Sequence, residues 1–101
     1  MFDKLLQVQQ QAEEIKKRLD AITVSGEAEG GKIKVTATGN KHINAIHIDE
    51  DFLKAADKEE LEDLLSVAVN KALEQAENVH QSEMQALSQN MMGGLGNLFG
   101  Q

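Results

Sequence analysis

The chain has 101 residues, the length of one domain, and carries a net charge of −7, which argues against bulk electrostatic attraction to nucleic acid. It has no Cys, which excludes disulfide frameworks, thiolate zinc sites and cysteine nucleophiles. Phe2, Phe52 and Phe99 are its only aromatic residues, so core volume has to come from Leu, Ile, Val and Ala, and a second subunit would help to complete so modest a core.

Charge is unevenly distributed. Residues 1–20 are neutral, residues 21–48 carry +1 and residues 49–101 carry −8, which leaves the first half free to present local positive patches. No charged-then-apolar leader opens the sequence and no apolar run approaches a membrane span. A cytoplasmic protein that does not engage a membrane is expected.

From Phe2 to Asp20 the composition is helical, rich in Gln, Glu, Lys and Leu. Leu5, Val8, Ala12, Ile15, Leu19 and Ile22 step alternately by three and four, a narrow seam suited to another helix of the same chain or of a second subunit. Lys16, Lys17 and Arg18 fall near the helix C-terminus, where they complement the dipole. They are also candidate phosphate contacts.

The segment Ile22–Gly39 folds on itself at Gly30-Gly31 so that partner numbers sum to 61. One face then pairs Val24 with Ala37, Gly26 with Val35 and Ala28 with Ile33; the other pairs Glu29 with Lys32, Glu27 with Lys34, Ser25 with Thr36 and Thr23 with Thr38. Apolar on one side and charge-complementary on the other, this is a half-solvated hairpin with a tight Gly-Gly turn. A third strand follows the turn cluster Gly39-Asn40-Lys41, and its pattern slips phase between Ile43, Ala45 and Ile46, Ile48. Two readings fit the slip: a bulge near Ala45 that sets Val35 against Ile46, Lys34 against His47 and Ile33 against Ile48, or an unbroken register with Ile43 on the outer face.

Asp49-Glu50-Asp51 lacks the spacing of a calcium loop, and Asp51 is expected to cap a short turn from which Phe52 and Leu53 dock on the core. Asp57-Lys58-Glu59-Glu60 reads as a capping box, with the Asp57 side chain accepting from the Glu60 amide. It opens a helix to about Asn90, whose apolar face includes Leu61, Leu64, Leu65, Val69 and Leu73 and a small-residue row of Ala68, Ala72 and Ala76. Such a helix is about 50 Å long and must project beyond a domain of roughly 30 Å. Residues 91–101, rich in Met and Gly, are expected to form a flexible tail.

No catalytic constellation emerges. His42 and His47 lack acidic orienters, Glu77 and His80 form an isolated Glu-x-x-His, and no phosphate-cradling or dinucleotide-binding fingerprint occurs. No cofactor or metal is expected. Lys32, Lys34, Lys41 and His42 around the hairpin join Lys16, Lys17 and Arg18 as candidate nucleic-acid contacts, without an exposed aromatic platform for single strands. Against that stands a solvated surface in which Glu27 and Glu29 pair with two of the lysines.

The order helix, three-stranded meander, long helix and Met/Gly-rich tail resembles the YbaB/EbfC family of bacterial nucleoid-associated proteins. The resemblance rests on the Gln-rich opening helix, the hairpin Ser25–Gly39, the ending Ile46-His47-Ile48-Asp49 and the run Asp57–Leu64. Family members often have Pro where this chain has Glu50. The resemblance implies a tweezers-shaped homodimer that binds DNA without catalysis and organises the chromosome or influences expression. The expected protomer is therefore α+β, with residues 1–90 as one domain. As a homodimer it would bind double-stranded DNA in the nucleoid, Leu5, Val8, Ala12, Ile15, Leu19, Ala68, Ala72 and Ala76 serving dimer or helix packing. The alternative is an acidic dimeric module that holds another protein through its projecting helices, small-residue groove and tail.

Overall fold

A computed structural model describes the backbone of residues 2–99 and the side-chain surroundings of residues 5–89. Helix α1 (Phe2–Ala21) leads into strands β1 (Thr23–Ala28), β2 (Ile33–Thr38) and β3 (Ile43–Ile48), followed by the short helix α2 (Glu50–Ala55) and the long helix α3 (Lys58–Phe99). The strands form an antiparallel meander in the order β1-β2-β3. The hairpin has the expected register, from Thr23 opposite Thr38 to Ala28 opposite Ile33.

The ladder ends there, one pair earlier than the sequence pattern suggests. Glu29 joins Gly30 and Gly31 in the left-handed region, with φ of 53°, 65° and 92°, so Glu29 and Lys32 belong to the turn rather than to a cross-strand pair. Both glycines adopt these angles without a Cβ penalty. On the β2–β3 side, Thr36 pairs with Ala45 and Ala37 with Ile43, which leaves Asn44 as the extra residue of a bulge. Of the two readings of the phase slip, the bulge is the one adopted: it turns Ile43, Ile46 and Ile48 to the same face as Ile33, Val35 and Ala37. An unbroken register would have pointed Ile43 into solvent.

Helix α3 lies across β1 and β2 on that apolar face. The crossing is close because Gly26 meets the small-residue row: a Cβ on Gly26 would stand 2.3 Å from both the Ala68 carbonyl oxygen and the Ala72 nitrogen. Ala68, Ala72 and Ala76 are fully buried, and the core gathers Ala28, Ile33, Val35 and Ala37 beneath the first two, with Val24, Ile43, Ile48, Phe52, Leu61, Leu64, Leu65 and Val69 packed around it. The alanine row is thus closed within one chain. Of the dimer or helix packing expected of Ala68, Ala72 and Ala76, the contact made within the chain is packing of helix on sheet.

Helix α2 is capped by Asp49 and not by Asp51, since the Asp49 carboxylate accepts from the Phe52 amide at 3.0 Å. Asp51 lies inside the first turn, where a negative charge meets the positive end of the helix. Phe52 packs against the core as expected; Leu53, on the far side of the one-and-a-half-turn helix, stays exposed. At the start of α3 the Asp57 carbonyl accepts from Leu61 at 2.9 Å, but the expected side-chain bond to Glu60 is not among those formed by the described residues. The α3 backbone stays helical to Phe99, beyond the expected end near Asn90. Glycine lowers helix stability by about 1 kcal/mol each without forbidding the conformation, and Met91, Met92, Leu95 and Leu98 favour it. Of the flexible tail expected over residues 91–101, the backbone of residues 91–99 is helical, and residues 100–101 lie outside the described residues.

The α1 seam divides in two. Ile15 and Leu19 are buried, whereas Leu5, Val8 and Ala12 are exposed on the part of the helix that runs beyond the sheet. The molecule is accordingly elongated, with extents of 66 × 23 × 17 Å.

Candidate nucleic-acid interface

The β2–β3 turn is tied to the end of α1. The Gly39 amide donates to the carbonyl oxygens of Leu19 at 2.9 Å and Ile22 at 3.1 Å, which satisfies groups that the C-terminus of a helix leaves open. Asn40 donates from its side-chain amide to the Lys16 carbonyl at 2.9 Å and also to the Asp20 carboxylate. Thr38, nearly buried, organises the turn from below: its hydroxyl accepts from the Asn40 and His42 amides, and its carbonyl accepts from Lys41 at 3.0 Å. Lys41 takes a φ of 66° in the process.

These bonds bring the C-terminal part of α1, which carries Lys16, Lys17 and Arg18, to the turn that carries Lys41 and His42. Helix α3 closes that corner with carboxylates. The Lys41 ammonium pairs with Glu77, and the Arg18 guanidinium lies 3.6 Å from Glu83. The hydrogen bond from Lys41 holds the Glu77 carboxyl below its ordinary range against partial desolvation, helped by the Lys41 charge, a hydrogen bond from Gln81 and the charge of His80.

Lys32 and Lys34 lie at the opposite end of β2. Lys34 stands exposed on the outer sheet face between its cross-strand partners Glu27 and His47. The Lys32 ammonium sits 5.6 Å from the centre of the Phe52 ring, and its carbonyl accepts from Asp49 at 2.7 Å. The seven candidate contacts therefore form two groups: Lys16, Lys17, Arg18, Lys41 and His42 at the α1 corner, and Lys32 and Lys34 near the hairpin tip. Asn40, Glu77 and Glu83 are the participants that sequence spacing missed. Asn40 reads only as a turn former, and no periodicity relates residues 20 to 65 positions apart. Among the described residues, no helix is long and apolar enough to cross a membrane.

The family model of the YbaB/EbfC DNA-binding family matches residues 1–91. The chain belongs to this family. A nucleoid-associated protein of Flavobacterium johnsoniae is 39% identical, with 98% of this chain and 94% of that protein covered. One from Thermoanaerobacter pseudethanolicus is 44% identical over 77% of this chain and 73% of its own length. An uncharacterised protein from Helicobacter pylori has a similar crystal structure, with a TM-score of 0.69 over 90% of this chain and 92% of that one; at 20% identity the likeness speaks to the fold alone.

Proposed function

We propose that the chain is a nucleoid-associated protein that binds duplex DNA as a homodimer, mainly through phosphate contacts, and so influences chromosome organisation or gene expression. Membership of a DNA-binding family carries this reading. The cations gathered where α1 meets the β2–β3 turn suggest where the contact falls. Lys16 and Lys17 are exposed and have no carboxylate within ion-pair distance among the described residues, so they contribute most; Lys32, beside Phe52, and Lys34, flanked by Glu27, contribute less. Each cation that meets a phosphate releases condensed counterions, and the acidic α3 repels the duplex and confines it to the basic corner. Two copies of a weak patch on one dimer gain through effective concentration. Sequence preference would then arise from DNA shape.

A second subunit has a surface to cover. The apolar face of β3 lies past the flank of α3, where Ile46 is 46% exposed. An isolated aliphatic residue would need no explanation. This one is continuous with the partly buried Ile43 and Ile48 of the same sheet face.

The test is fluorescence anisotropy of a labelled mixed-sequence duplex at two salt concentrations. Wild-type protein should bind saturably and more weakly at higher salt. Lys16→Glu/Lys17→Glu should lose roughly tenfold or more, and Lys32→Glu/Lys34→Glu should lose less. The opposite ranking would move the contact to the hairpin tip. Absence of binding at low salt by the folded wild type would overturn direct DNA recognition.

A further inference from the structure

Two cations at the basic corner are already engaged. Lys41 and Arg18 pair with Glu77 and Glu83, which project from α3 onto the turn and onto α1; the other ion pairs among the described residues link positions four apart within one helix. The two carboxylates are six residues apart along α3, and they meet bases that come from different elements. Resting on the DNA-binding reading, we propose that Glu77 and Glu83 are internal competitors for DNA phosphate, holding Lys41 and Arg18 until a phosphate group takes their place.

Both pairs lie at the surface, although the Glu77 Oε2 that meets Lys41 is itself sheltered from solvent, so the Arg18–Glu83 pair is the more readily exchanged. The side chains of Lys41 and Glu77 are 48% and 38% exposed, and those of Arg18 and Glu83 are 64% and 24% exposed. Pairs so placed are weak and screened by salt, unlike a buried lock. Exchange nonetheless alters the ion balance of binding. A free lysine that meets a phosphate releases counterion from the duplex, whereas a paired lysine also abandons a carboxylate, which then recruits a cation from solution. Net release is smaller, so the corner binds less tightly and with a shallower salt dependence than its number of cations implies. Lys16 and Lys17 provide the standing attraction, and Lys41 and Arg18 form a reserve held by α3.

The experiment measures duplex affinity for the full chain at several salt concentrations by anisotropy. Glu77→Gln/Glu83→Gln should bind more tightly than wild type at low salt. Its loss of affinity between roughly 50 and 200 mM salt should grow by about threefold for each cation freed. Glu59→Gln/Glu74→Gln removes the same net charge from residues with no base within ion-pair distance among the described residues and should produce a smaller gain and no steeper slope. In a Lys41→Gln/Arg18→Gln background the gain from Glu77→Gln/Glu83→Gln should shrink to that of the control pair. Equal gains from both acid pairs, or a gain above the control's that persists without Lys41 and Arg18, would overturn the competition while leaving DNA binding intact. Absence of duplex binding by wild type and all variants would instead overturn the reading on which it rests. Should the double variant fail to fold by circular dichroism, Glu83→Gln measured with and without Arg18→Gln poses the same question at the longer pair.

Discussion

Gly26 is where a single missing side chain decides the packing. Valine or threonine would suit the middle of β1 by strand propensity, but the backbone of α3 occupies the space a Cβ would need. Neither Ala68 nor Ala72 can yield, because the atoms at 2.3 Å are main-chain atoms of a regular helix. Gly26→Ala should therefore destabilise the fold by about 3 kcal/mol through forced separation of helix and sheet, read as a lower midpoint in urea unfolding; a change under about 0.5 kcal/mol would refute the close crossing. The sequence pattern placed Gly26 opposite Val35 on the inner face, but it held no sign that a helix backbone would press there.

At the scale of elements, the β2–β3 turn joins pieces that are remote in sequence. Asn40 reaches α1, Lys41 reaches α3, and the sheet positions both. The Lys41–Glu77 pair gives this junction a pH dependence with a definite sign. The folded-state value of Glu77 lies below its ordinary 4.5, so its contribution to stability is present above 4.5 and is lost as pH falls through the lower folded value. Glu77→Gln should flatten this part of the stability–pH profile, measured by thermal unfolding in buffers from neutral to about pH 3, while leaving the profile above about pH 6 parallel to wild type. An unchanged acid limb would mean that the pair adds nothing to folding.

Across the whole molecule, α3 protects only part of the apolar sheet. It shields β1 and β2, the alanine row permits the close approach, and β3 is left at the flank with Ile46 open. If a second copy covers that face, Ile46→Lys should shift the protein from dimer to monomer in sedimentation velocity at micromolar concentration, with the circular dichroism of the helices retained. A dimer that survives the change would place the interface elsewhere, the exposed Leu5 and Val8 of α1 being the next surface to examine. Duplex affinity should fall when dimerisation is lost, because a monomer presents the basic corner once.

Local pattern by itself determined the order of elements, the hairpin register and the two arrangements open to β3, because side chains alternate every second residue along a strand and recur every three to four along a helix. Those periods are properties of adjacent residues and need no knowledge of the fold. They could not show that Glu29 leaves the ladder, that Asp49 rather than Asp51 caps α2, or that α3 continues past Asn90, since each outcome depends on competition among several locally acceptable conformations. They also listed the cations without grouping them. Tertiary structure alone decided that Ala68 and Ala72 close over β1, that Asn40 ties the β2–β3 turn to α1, and that Glu77 and Glu83 hold Lys41 and Arg18, because those contacts join residues whose separation along the chain carries no periodic signal.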